Sequence, residues 1–113
     1  MPDDQRGRMT GDRSRYEEDR RVLAHSRRRE TIRCLADSDG VQSVDALAYQ
    51  VSVHEAAGTP DPREEATAAT VRIALYHVHL PILDQANVVA FDPQRKRVEQ
   101  GCAFEEFAQR VLD

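Results

Sequence analysis

Hydrophobic residues in the first half of the chain recur every three or four positions, which is the spacing of amphipathic helices. This spacing predicts three short helices, over residues 15–24, 27–37 and 44–56, with Ser14, Ser26 and Ser43 as their N-caps. The residues predicted to be buried are Ile32, Leu35 and Ala36 in the second helix and Val44, Leu47, Ala48 and Val51 in the third.

The longest periodic segment runs from Arg63 to about Ala86 and is apolar on two nearly opposite faces. One face carries Val71, Leu75, Val78 and Ile82, and the other carries Ala69, Ile73, Tyr76, Leu80 and Leu83. A helix with two apolar faces has to bury both, so we predict that one packs on the domain core and the other on a partner or a further helix. Pro81 removes a backbone donor, which predicts a kink near residues 77–81.

The pattern changes to β-branched and aromatic residues after the long helix. Residues 88–91 and 96–99 predict a β-hairpin around a turn at residues 92–95, and residues 41–44 predict a single edge strand. We expect Asn87 to end the long helix in the left-handed conformation. Helical spacing returns in a C-terminal amphipathic helix, whose apolar face carries Phe104, Phe107, Ala108, Val111 and Leu112. This face packs either on its own domain or on another chain.

The chain has 113 residues, 40% of them apolar and 32% charged, which predicts one folded domain. We expect residues 1–13 to be disordered, residues 14–101 to form the domain and residues 102–113 to form the C-terminal helix. No run approaches the roughly 18 apolar residues of a membrane span, and the N-terminus lacks the apolar segment of a signal peptide. We therefore expect a cytoplasmic protein with no membrane contact and with Cys34 and Cys102 as reduced thiols.

The sequence contains no motif of a nucleophilic, zinc-dependent or phosphate-binding enzyme, which predicts neither catalysis nor a cofactor. His77 and His79 are two positions apart, so on a helix they point about 200° from each other and do not share a metal ion. The spacing of the other histidines and cysteines, His25, His54, Cys34 and Cys102, is not that of metal ligands. We predict structural roles for them, with a three-dimensional site between subunits left open.

Four segments of the chain resemble one small family. They are Arg27-Arg28-Arg29 ahead of Ile32 and Leu35, residues 43–48 (S-V-D-A-L-A), residues 78–89 (V-H-L-P-I-L-D-Q-A-N-V-V), and Phe91-Asp92-Pro93 with Val98. Over residues 22–100 the chain resembles a small haloarchaeal winged-helix family of unassigned function, whose members are similar to arsenical-repressor-type transcriptional regulators. The H-L-P-x-L motif is the most specific part, and Asn87 stands where most such regulators carry Gly.

The resemblance implies a mainly α (α+β) fold, a winged helix-turn-helix with a two-stranded β-hairpin wing. The C-terminal amphipathic helix predicted from the apolar spacing follows this wing. The resemblance also implies a transcriptional regulator that binds duplex DNA. The apolar faces of the long helix and of the C-terminal helix lead us to expect a homodimer, formed through one of these helices or both. In such a fold one helix enters the major groove, and the wing touches the backbone.

Polar side chains on the flanks of the long helix and at the hairpin are the candidates for DNA contact. They are Arg63, Thr70 and His77 on one flank, Arg72 and His79 on the other, and Arg95, Lys96 and Arg97 at the hairpin. The helix residues would donate to base edges, and the three cations would meet phosphates. Ordinary solvated helix flanks, and a charged hairpin that protects an edge strand, would give the same pattern.

The alternative function is a protein-interaction or dimerisation module with a winged-helix fold that does not read DNA. DNA binding is favoured if the cations gather on one side, and the interaction module is favoured if acidic residues interrupt that side. Arg27, Arg28 and Arg29 begin a helix, where the helix dipole disfavours cations. This placement predicts an anionic partner for them, either phosphate or the acidic residues of a neighbouring subunit.

Overall fold

The computed structural model describes residues 17–38, 40–58 and 67–112. The predicted disordered segment 1–13, the Ser14 cap and Arg63 lie outside these residues. The fold is mainly helical, with a small three-stranded antiparallel sheet, and is therefore α+β as expected. None of the described helices combines the length and the apolarity needed to cross a membrane.

In chain order the elements are α1 (residues 17–23 as described), α2 (Ser26–Ala36), β1 (Gln42–Ser43), α3 (Val44–Gly58), α4 (Ala68–Ala74), a π-helical turn (Leu75–His79), α5 (Leu80–Gln85), β2 (Val89–Asp92), β3 (Arg97–Gln100) and α6 (Phe104–Leu112). We call the continuous helix of α4, the π-helical turn and α5 the long helix.

The core lies between the helices and one face of the sheet, and the predicted apolar positions of α2 and α3 point into it. Val44, Leu47, Ala48 and Val51 are all buried, which confirms the predicted stripe of α3. The predicted cap of α3 is also confirmed, because Ser43 Oγ accepts a hydrogen bond from Ala46 N at 3.0 Å. The predicted cap of α2 was wrong. His25 occupies the N-cap of α2, with Nδ1 accepting from Arg27 N at 3.1 Å, and Ser26 is the first helical residue.

Pro81 disturbs the long helix, and the disturbance takes the form of a π-helical turn immediately before it. The Leu80 N–H bonds to the Leu75 carbonyl five residues back, so this turn holds one residue more than an α-helical turn. The buried stripe therefore moves by one position, from the expected Val78 to His79.

Each predicted face of the long helix has one large apolar residue that is exposed in the structure. Val71, Leu75, Leu80 and Leu83 are buried as expected, but Val78 is 47% exposed. Of the second face, Leu80 and Leu83 are buried but Ile73 is 57% exposed, so no further helix among the described residues covers that position, and packing on a partner stays a prediction.

The sheet has the order β1-β3-β2, with β3 in the centre. Its β2–β3 hairpin confirms the predicted one, and β1 pairs with β3 at the edge as expected, with Gln42 opposite Val98. Val89 and Val98 are buried on the core side of the sheet. Asn87 has φ 62°, which confirms its predicted left-handed conformation.

The C-terminal helix α6 packs back onto its own domain, against α2. Phe104, Phe107 and Ala108 are buried in the common core, and Leu112 at the end of the helix is 54% exposed. The chain enters α6 at Gly101, where an added Cβ would lie only 2.5 Å from the Asn87 carbonyl oxygen.

Candidate nucleic-acid interface

The end of the β2–β3 turn and the first residue of β3 present three consecutive cations, Arg95, Lys96 and Arg97, all of them exposed. We call them the hairpin tip. The turn is held by the Asp92 carboxylate, which accepts hydrogen bonds from Gln94 N at 3.1 Å and Arg95 N at 3.2 Å. Lys96 takes a left-handed φ of 56°, which closes the turn. The backbone of the hairpin tip is therefore ordered by local contacts, while its side chains remain accessible.

A groove of about 310 Å³ separates the long helix from the start of α3 and from Lys96. Its walls are formed by Val44, Asp45, Arg72, Ile73, Tyr76, His77 and Lys96, and we call it the helix–hairpin groove. Three of the predicted DNA-contacting residues, Arg72, His77 and Lys96, thus lie together although Lys96 is distant in sequence.

Tyr76 ties the two walls of the helix–hairpin groove together. Its hydroxyl donates to the Pro93 carbonyl at 3.0 Å, and its ring meets the Phe91 ring edge-on, with centroids 5.6 Å apart. The position of the hairpin tip relative to the long helix is therefore set by contacts within the domain.

One acidic residue interrupts the cationic lining of this groove. Asp45, in the first turn of α3, accepts a hydrogen bond from Arg72 Nη1 at 3.2 Å. Both side chains are more than half exposed, so water weakens this ion pair strongly and Arg72 can exchange Asp45 for another anion.

Arg95 and Arg97 line a different hollow from Lys96. This second hollow also contains Asp92 and Glu99. The predicted cations are therefore divided between two hollows that share the hairpin tip, and each hollow contains acidic residues.

The two remaining described candidates on the long helix differ in exposure. Thr70 is exposed, and its hydroxyl lies 2.8 Å from the hydroxyl of Thr67, which caps α4. His79 is only 4% exposed, so the prediction that it contacts DNA was wrong. The π-helical turn is the cause, because it rotates His79 into the interior.

His79 belongs to a polar cluster with Arg28, which is also buried, and with His25, which is exposed. The His79 and His25 rings meet at an angle, with centroids 4.5 Å apart, and Arg28 Nη1 lies 3.4 Å from His79 Nδ1. Burial, followed by the effects of His25 and Arg28, lowers the pKa of His79 from 6.5 to about 4. Burial and the positive charge of Arg28 also lower the pKa of His25.

The arginines at the start of α2 find their partners inside the same chain, which corrects the expectation of phosphate or a second subunit. Arg28 Nε and Nη2 donate to the carbonyls of Val22 and Arg21, and Arg29 Nη1 donates to that of Leu23. These carbonyls lie at the end of α1, where a helix lacks internal donors. Arg27 forms a bidentate pair with Glu55 of α3, whose carboxylate lies 2.8 Å away.

A second cluster joins α2 to α3. One ligand atom each of Glu30, Cys34 and His54 lies within 4.8 Å of the others. Burial, with smaller contributions from Glu30 and Asp37, raises the pKa of the Cys34 thiol to about 11. The structure therefore brings Cys34 and His54 together although their sequence spacing is not that of metal ligands, and the structural roles predicted for them stay a prediction. Sequence spacing did not indicate this cluster because its residues come from two helices.

Residues 20–99 match the family model described as "Domain of unknown function (DUF7344)". The chain belongs to the DUF7344 family. The DUF7344 match begins in α1 and ends in β3, so it takes in the described hairpin tip, both hollows and both polar clusters, whereas α6 follows it. No curated protein and no solved structure is detectably similar to the chain.

Proposed function

We propose that this domain is a winged-helix module that binds duplex DNA as part of a transcriptional regulator. The order of α2, β1, α3, the long helix and the β2–β3 hairpin supports the proposal, since a winged helix-turn-helix has the same order. The pairing of β1 with β3 also fits, because it fixes the hairpin beside the start of α3. In this arrangement the long helix is the groove-reading element, and the hairpin is the wing.

The observation that carries the proposal is the helix–hairpin groove. Arg72 and His77 of the long helix and Lys96 of the hairpin tip all line this groove. Arg72 can donate to guanine, and the exposed Ile73 offers an apolar contact of the kind that thymine methyl groups receive. Lys96 and its neighbours in the hairpin tip would contact phosphates of the adjoining backbone.

A homodimer is part of the same proposal. Regulators of this shape read two half-sites about one helical turn apart, which requires two copies. Val78 on the long helix and Leu112 on α6 are exposed apolar side chains on the two elements named for the dimer. The larger apolar residues of α6 are already buried in the core of their own domain, so the long helix would supply most of the dimer contact.

The test is a triple variant in which Arg95, Lys96 and Arg97 are replaced by Ala, titrated against a pool of genomic duplex fragments at several salt concentrations. Each lost phosphate contact reduces the slope of log affinity against log salt by about 0.9, so loss of three contacts reduces it by about 2.7. The affinity is expected to fall by a similar factor for all sequences, because phosphate contacts carry no sequence information.

Arg110→Ala is the matched control, since Arg110 is an exposed cation on α6 that lies outside both hollows. It is expected to leave affinity and salt slope as they are in the unaltered protein. An unchanged slope in the triple variant would remove the hairpin tip from the proposed interface.

The second candidate function, a protein-interaction module, is favoured by two observations. Acidic residues interrupt both hollows that carry the hairpin cations, and two large side chains are exposed together on α3. Tyr49 and Val53 lie one helical turn apart on α3 and are 64% and 47% exposed. A paired Tyr49→Ser and Val53→Ser variant distinguishes the two functions. The interaction module would be supported by two results together: the unaltered protein binds no duplex DNA, and the variant loses the self-association that the unaltered protein shows in sedimentation. Retained duplex binding by the variant would support the first proposal.

A further inference from the structure

A cluster of three different ligand-type side chains lies where α2 and α3 pack together. Glu30 and Cys34 are one turn apart on α2 and therefore share a face, and His54 reaches them from α3. Cys34 is 3% exposed, the Glu30 side chain is 19% exposed, and that of His54 is 46% exposed. The cluster thus has a buried thiol at its base and an open side towards solvent.

We propose that Glu30, Cys34 and His54 bind one divalent transition-metal ion, and that Zn²⁺ is the ion that suits this ligand set. The site is separate from the helix–hairpin groove, and the proposal does not depend on DNA binding.

The chemistry of the three side chains carries the choice of metal. A thiolate, an imidazole and a carboxylate are the groups that bind Zn²⁺, whereas Mg²⁺ and Ca²⁺ prefer oxygen ligands alone. Three protein ligands leave a fourth tetrahedral position open for water or another small ligand.

The distances need only a small adjustment. Ligand atoms around a tetrahedral Zn²⁺ lie roughly 3.3–3.7 Å apart, given metal–ligand bonds of about 2.0–2.3 Å. The present atoms all lie within 4.8 Å of one another. The most exposed member, His54, can supply most of the movement, while the buried Cys34 stays in place.

The Glu30 carboxylate is oriented by a hydrogen bond from a neighbouring side chain, as ligating carboxylates in metal sites commonly are. Arg33 Nη1 donates to Glu30 Oε2 at 3.0 Å, which orients the carboxylate and leaves Oε1 facing His54 Nδ1. A metal ion would take the place of the hydrogen bond between Glu30 Oε1 and His54.

Charge balance also fits a divalent ion. On binding, the Cys34 thiol releases its proton to solvent and becomes a thiolate. The thiolate and the Glu30 carboxylate together carry two negative charges, and His54 binds as the neutral ring. A divalent cation therefore balances the charge of its three ligands, which limits the desolvation penalty.

The experiment is a titration of the full, reduced chain with CoCl₂ in the absence of DNA. Co²⁺ reports a bound thiolate through charge-transfer absorption in the near ultraviolet, and ZnCl₂ should then displace it. We expect the absorption to saturate at one equivalent. Cys102→Ser, which removes an exposed thiol outside the cluster, is the matched control and is expected to bind as the unaltered protein does.

Variants of the three ligands complete the test. Cys34→Ser is expected to lose the thiolate absorption, and His54→Gln and Glu30→Gln are each expected to weaken Co²⁺ binding at least about tenfold. Cys34 is buried, so its replacement can affect folding. If Cys34→Ser does not fold, the His54→Gln variant, altered at an exposed position, decides the test. The proposal is overturned if the unaltered protein gives no thiolate absorption, if the absorption follows Cys102, or if His54→Gln binds Co²⁺ with unchanged affinity.

Discussion

Acid is expected to destabilise the domain through His79, because the folded protein holds this side chain in its neutral form. The pKa of His79 is lowered from 6.5 to about 4, and the groups that face it are His25, Arg28 and Arg27. None of these three can stabilise a protonated His79, since two are permanent cations and the third is another histidine. The unfolded chain takes up a proton below pH 6.5, whereas the folded chain does so only near pH 4.

The sign and the magnitude of the pH dependence of stability follow from the difference between the unfolded and folded pKa values of His79. Above pH 6.5 both states are neutral at His79, and the full stability is present. Between pH 6.5 and about 4 the unfolded state binds more protons, so the free energy of unfolding falls as the pH falls. One pKa unit corresponds to about 1.4 kcal/mol, so the complete loss is roughly 3 kcal/mol.

Urea unfolding at pH 7.5 and pH 4.5 measures this loss, with His79→Gln as the perturbation. The Gln amide keeps an acceptor for Arg28 but does not titrate. The unaltered protein is expected to lose about 2–3 kcal/mol more stability between the two pH values than this variant does. His77→Gln is the matched control, because His77 is exposed on the same helix. Equal pH dependence in the unaltered protein and in His79→Gln would refute the reasoning.

Three further predictions concern packing, and thermal or urea unfolding checks each of them. Leu75→Asp places a charge at a fully buried position and is expected to cost about 4 kcal/mol or more, whereas Val78→Asp, at a position that is 47% exposed, is expected to cost less than about 1 kcal/mol. Equal losses would show that the π-helical turn does not shift the buried stripe. Gly101→Ala is expected to cost about 1–3 kcal/mol, because its Cβ would lie 2.5 Å from the Asn87 carbonyl oxygen; an unchanged midpoint would contradict that close approach. Phe107→Ala is expected to cost about 3–5 kcal/mol in a purified monomer, and a loss under 1 kcal/mol would mean that α6 does not pack on its own domain.

The π-helical turn connects the local chemistry of Pro81 with the organisation of the His79 cluster and the groove. It places His79 in the interior and leaves Val78 outside, while Ile73, Tyr76 and His77 remain at the helix–hairpin groove. Single-turn π segments are often found at functional sites. The exposed apolar side chains of this helix are therefore available to either of the two functions considered above.

Much of the secondary structure was determined by signals that act within a few residues. The stripe of α3, its Ser43 cap, the left-handed Asn87 and the β2–β3 hairpin all follow from side-chain period, cap chemistry or turn residues in the sequence. Such signals need no knowledge of distant residues, because the atoms involved are covalently close. The same holds for the exposure of the hairpin tip, whose three charges keep it in water.

Tertiary structure decided where polar side chains meet. Arg28 reaches the end of α1, and His54 joins Cys34 across the contact of α2 with α3. These contacts depend on how the helices pack, and sequence spacing within one helix does not encode that packing. His79 illustrates the same limit inside a single helix. Its imidazole ring was expected at the surface, but one extra residue in the π-helical turn rotated it into the core.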